Sequence, residues 1–84
     1  MTRYFFDIDD GQRHTPDDDG TEMADRAQLR KEAIRALADV TRDELPNSDQ
    51  RVFSIKVRDG DDRQVFYATL TLVAEWMDNG SRPA

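Results

Sequence analysis

Eight carboxylates fall between Asp7 and Asp25: Asp7, Asp9, Asp10, Asp17, Asp18, Asp19, Glu22 and Asp25, against a single Arg13. Eight negatives and one positive give this stretch a charge of -7, whereas the whole 84-residue chain carries -6, so the remainder sums to +1. Clustered carboxylates suit cation binding or paired acid/base chemistry. A calcium loop of the EF-hand type alternates its acids, with glycine at the sixth position and glutamate at the twelfth. Counting from Asp7, glycine falls fifth (Gly11) and Asp18 twelfth; counting from Asp17, glycine falls fourth (Gly20). Neither register fits, which excludes an EF-hand and leaves a looser divalent-cation or small-ligand site through Asp7, Asp9, Asp10 and Asp17–Asp19 as one reading.

Acid/base work by a carboxylate pair needs a cleft that keeps one member protonated. Exposed turn aspartates in a chain this short do not supply one. His14 is the sole histidine and there is no cysteine, so a zinc site of nitrogen and sulfur ligands cannot form. The chain has no phosphate-binding G-x-x-x-x-G-K-[ST] loop, no G-x-G-x-x-G and no H-E-x-x-H. The expectation is a protein that is not an enzyme, with no catalytic residue, metal or cofactor to assign.

The elements that must position these acids are legible from periodicity. Arg3 to Ile8 reads as a short strand with Tyr4, Phe6 and Ile8 on one face and Arg3, Phe5 and Asp7 on the other. Asp9-Asp10-Gly11-Gln12 is turn chemistry, with Gly11 suited to positive φ. A hairpin partner through Arg13, His14 and Thr15 is cut short by Pro16, and Asp17 to Thr21 reads as a loop. A helix capped by Asp25 and Gln28 runs to Leu45-Pro46-Asn47. Its apolar face gathers Ala27, Leu29, Ala33, Ile34, Leu37, Val40 and Thr41, opposite Lys31, Glu32, Arg35, Asp39, Arg42 and Asp43. Two longer strands follow. In residues 51–58, Phe53, Ile55 and Val57 alternate with Val52, Ser54, Lys56 and Arg58; in residues 64–76, Phe66, Ala68, Leu70, Leu72, Ala74 and Trp76 oppose Val65, Tyr67, Thr69, Thr71 and Val73. Trp76 reads as a core plug. The fold class expected is α+β: a small antiparallel sheet in β-β-α-β-β order with one amphipathic helix on one face. Residues 1–77 form a single domain and residues 78–84 a flexible tail.

Acids just before a helix N-terminus are favoured by its unpaired N–H groups and its dipole. The first helical turns carry the opposite sign: Arg26, Arg30, Lys31 and Arg35 against Glu32. On the helical wheel Arg30 falls on the apolar face, so a partner is expected for it, Asp7 or one of Asp17, Asp18 and Asp19. One helix covers one sheet face, and the other carries Phe5, Val52, Val65, Tyr67 and Val73, a candidate homodimer face.

The acidic balance argues against a phosphate-tracking nucleic-acid binder. No apolar run approaches the length of a membrane span, and the opening is strand-like rather than a secretory signal, so a cytoplasmic protein is expected. A candidate acidic interaction surface remains at Asp9, Asp10, Asp17, Asp18 and Asp19. The partner expected is protein, either a second copy or a basic surface.

The run Arg3-Tyr4-Phe5-Phe6-Asp7-Ile8-Asp9-Asp10-Gly11, the loop Asp18-Asp19-Gly20-Thr21-Glu22, Glu32-Ala33 with Ala36-Leu37, and Arg42-Asp43-Glu44-Leu45-Pro46 together resemble a family of short alphaproteobacterial proteins known only as a domain of unknown function. Val57-Arg58-Asp59 and Leu70-Thr71-Leu72 suit the same pattern. The resemblance covers nearly the whole chain and implies a small bacterial cytoplasmic protein, with no catalytic residue to carry over. A looser, fold-level likeness to the HicB-type antitoxin domain implies an antitoxin-like regulator; no DNA-binding segment follows Trp76 to match it.

Overall fold

A computed structural model describes residues 2–77. The expected tail, residues 78–84, lies outside the described residues. The fold is α+β, with strands β1 (Thr2–Asp9), β2 (His14–Thr15) and β3 (Thr21–Met23), helix α1 (Arg26–Glu44), a 3-10 turn at Leu45–Asn47, and strands β4 (Gln50–Arg58) and β5 (Gln64–Val73). All pairings are antiparallel, in the order β2-β1-β4-β5, with β3 also pairing to β1. The element order is therefore β-β-β-α-β-β. Thr21, expected in a loop, begins a short strand, because Thr2, Arg3 and Tyr4 offer it unpaired backbone groups opposite Met23, Glu22 and Thr21.

The core follows the period-2 alternation of the strands. Phe53, Ile55 and Val57 of β4 are fully buried, each contributing about 1.5–3 kcal/mol by leaving water. Phe6 and Ile8 of β1 stand opposite Val57 and Ile55, and Phe66 and Ala68 of β5 stand opposite them on the other side. Above this row lies α1, whose buried residues are Leu29, Ala33, Leu37 and Thr41, a single i, i+4 row. The helix starts at Asp25, whose side chain accepts from Gln28 N–H at 2.8 Å, while the Gln28 amide oxygen accepts from Ala24 N–H at 2.7 Å. It ends at the expected proline.

Successive members of an i, i+4 row advance about 40° around the axis. At the height of Arg30 the contact is centred on Leu29, one residue and about 100° away. Arg30, Ile34 and Ala27 are accordingly exposed, although a wheel averaged over the whole helix places all three on the apolar face. Trp76 is also a correction. The strand stops at Val73, Ala74 N–H makes a last bond to Asp49 C=O at 2.8 Å, and the indole beyond it is 64% exposed.

Candidate functional site

The acidic residues converge on the outer edge of β1. Antiparallel pairing uses alternate residues of a strand on each side. β3 covers Thr2 to Tyr4 and β2 covers Ile8 and Asp9, which leaves Phe6 N–H between them. Asp17 fills that gap: its Oδ2 accepts from Phe6 N–H at 3.0 Å, and its Oδ1 from Asp19 N–H and Gly20 N–H at 3.1 and 3.0 Å. One carboxylate thus closes a strand edge and a turn together.

Asp17 is itself held in place. Its N–H donates to Asp7 Oδ1 at 2.9 Å, and its carbonyl accepts from Arg58 Nη2, also at 2.9 Å. Arg58 grips Asp7 in a two-pronged contact along one edge of its guanidinium, Nε to Oδ2 at 2.7 Å and Nη2 to Oδ1 at 3.2 Å, and lies 4.8 Å from the centre of the Phe5 ring. The Asp7 side chain is 12% exposed. Against the same ring sits Gly20, with φ at +74°, where a Cβ would come within 2.8 Å of Phe5 and 2.9 Å of Arg3; Arg3 in turn donates to the carbonyl of Asp19 at 2.7 Å. Burial pushes both carboxyls up, but the Arg58 hydrogen bonds and the Asp17 N–H carry Asp7 below the usual aspartate value. For Asp17 burial is likewise outweighed, by the N–H groups of Gly20, Phe6 and Asp19. Carboxylates saturated with donors and held ionised are poor general acids and weak bases. Their chemistry is that of a clasp.

Asp9 and Asp10 are engaged in the next turn. Asp9 Oδ1 accepts from Gly11 N–H at 2.8 Å, and Asp10 Oδ1 from Gln12 and Arg13 N–H at 2.9 and 2.7 Å. These backbone bonds lower the Asp10 carboxyl. Gly11 takes φ +92°, the positive φ to which a turn glycine is suited. Arg51, 11% exposed on β4, donates from Nε to the Asp10 carbonyl at 2.9 Å and from Nη1 to Ser48 Oγ at 3.2 Å. It ties the first hairpin to the end of the helix and stacks 5.0 Å over Phe53. His14 lies 4.0 Å from Asp9, both well exposed.

Of the five residues read as an acidic interaction surface, then, Asp9, Asp10 and Asp17 are engaged internally, and Asp18 and Asp19 present exposed carboxylates beside Glu22. Among the described residues no three metal-ligating side chains are grouped to hold a metal ion. The expected pairing of Arg30 is overturned: the residue is exposed and, among the described residues, makes no ion pair, while Asp7 belongs to Arg58. The candidate dimer face also breaks up. A bulge at Val57/Arg58 sets Phe66 opposite Val57 but Gln64 opposite Arg58, and the extra residue, Val65, turns onto the core. There it lines a cleft of about 40 Å³ with Tyr4, Arg26, Leu29 and Phe66. Phe5 is half-buried beneath Arg58 and Gly20. Val52, Tyr67 and Val73 stay exposed.

Arg58 and Arg51 are the residues that sequence reasoning missed. Alternation alone puts Asp7, Phe5 and Arg58 on one face, but their contact depends on β1 lying beside β4, which no local pattern encodes.

Residues 3–71 match a family described as a domain of unknown function, DUF6894. The chain belongs to that family. No curated protein and no solved structure matches it. Arg3, Phe5, Asp7, Asp17, Gly20 and Arg58, the whole clasp, lie inside the stretch that matches the DUF6894 family. No helix among the described residues is long and apolar enough to cross a membrane.

Proposed function

We propose that this domain is a non-enzymatic protein-interaction module whose partner contacts are made chiefly along β5. The observation that carries this reading is where the exposed apolar side chains gather: Tyr67, Leu70 and Val73 on β5, and Trp76 and Met77 just beyond it. The carboxylates suited to chemistry are meanwhile engaged in the clasp and its turns. Large apolar side chains collected on one exposed element suit a protein contact better than solvent. A second reading, a basic partner met through Asp18, Asp19 and Glu22, rests on the acids that the fold leaves free of its own backbone.

Affinity capture with cross-linking separates the two. A variant with Tyr67→Ser and Leu70→Ser is expected to lose its bound protein while its circular dichroism stays native, with capture little changed by salt. If instead the Asp18→Asn, Asp19→Asn, Glu22→Gln variant loses it, and native capture fades as salt rises, the acidic surface is the contact. Capture that survives in both variants overturns the reading.

A further inference from the structure

The two edges of the sheet are finished in opposite ways. The outer edge of β1 is closed by β2, β3 and the Asp17 carboxylate. Among the described residues nothing pairs with the outer side of β5. Proteins guard such edges with charges, proline, glycine bulges or short strands. From Gln64 to Val73 this strand has ten residues and none of them is charged, proline or glycine. Its one irregularity, the Val65 bulge, lies at the hairpin end.

The direction of its free backbone groups follows from one bond. Ala74 N–H donates to Asp49 C=O at 2.8 Å, in register with Val73 opposite Gln50. By alternation, Tyr67, Thr69, Thr71 and Val73 aim their N–H and C=O groups away from β4. We infer that β5 pairs antiparallel with β5 of a second copy across a two-fold axis at Leu70. In that register Tyr67 meets Val73 of the partner and Thr69 meets Thr71, so all four outward residues find backbone partners. The same register clears the bulge and sets Leu70 against itself. On the open face the exposed Tyr67 (55%) and Val73 (63%) cover each other across the axis, and on the helix face Leu70 (41%) covers its own copy.

The self-complementary register selects a second copy as the occupant, and the charge distribution permits it. Two chains of -6 repel unless they meet where charge is locally absent, and β5 is the long strand that has none. The -7 stretch sits on the far edge of the sheet, so edge pairing holds the two acidic lobes apart. The product is one continuous sheet with a helix from each copy on the same side.

This pairing rests on the interaction reading above, and it has its own test. Sedimentation of the native chain over a rising concentration series should show the mass doubling from 9.7 kDa. Thr71→Pro removes an outward N–H that β4 does not use, at an edge position where proline is tolerated, and should keep the chain monomeric. Leu70→Cys, in a chain without other cysteines, faces its own copy at a non-hydrogen-bonded position whose Cβ separation suits a disulfide. Mild oxidation should convert it to a covalent dimer, while Val52→Cys on the open face of β4 stays monomeric. This second variant keeps the test valid if the proline chain fails to fold. A native chain that remains monomeric at the highest concentration, or Val52→Cys cross-linking as readily as Leu70→Cys, overturns the pairing. In the monomeric case the capture experiment then judges the wider reading independently.

Discussion

Asp17 stands in for a strand residue, because its carboxylate takes the place of the carbonyl that would otherwise pair with Phe6 N–H between β2 and β3. Three backbone donors depend on it. Asp17→Ala leaves them without an acceptor and also loosens the carbonyl contact to Arg58. The expected cost is about 2 kcal/mol, from hydrogen bonds to a charged group with incomplete replacement by water, read as a lowered urea midpoint at unchanged slope. Asp18→Ala, one residue on and exposed, is expected to change stability by less than about 0.5 kcal/mol. A loss of equal size at both positions would reject the clasp. The sequence shows three consecutive aspartates and no reason to prefer the first; the difference comes from which carboxylate reaches the gap in β1.

At the level of elements, strand alternation matches the structure along β1, along β4 and along β5 from Phe66 onward, and misplaces only Val65, where the bulge intervenes. Helix periodicity found the right helix and blurred its face. Leu29, Ala33, Leu37 and Thr41 form the buried row, and the row's drift takes Arg30 and Ile34 off the sheet. Arg30→Ala is therefore expected to alter thermal stability by less than about 0.5 kcal/mol, whereas Leu37→Ala should cost about 2–5 kcal/mol through lost burial and a cavity. Comparable losses at both positions would mean that Arg30 holds a buried partner after all.

Across the whole molecule, the acidic stretch is a structural device before it is a surface. Asp7, Asp10, Asp17 and Asp59 are all lowered from the ordinary aspartate value of 3.8 by arginine or backbone donors. A depressed folded-state pKa contributes stability that is fully present above the unfolded value and lost as pH falls through the folded one. The chain is thus expected to hold its stability from neutrality down to about pH 4 and to lose it progressively below. An Asp7→Asn, Asp17→Asn variant should start less stable and show a shallower loss on acidification; an unchanged slope in urea titrations would contradict that linkage. Composition and periodicity were enough to determine the α+β class, the capped helix with its proline stop, the turn glycine at position 11 and the excess of acid before the helix, because each is set by neighbours within a few residues. The tertiary structure alone decided that β1 lies between β4 and the two short strands. That placement pairs Asp7 with Arg58, gives Asp17 a gap to fill and leaves β5 with an open edge. Contacts between residues dozens of positions apart leave no local pattern to read.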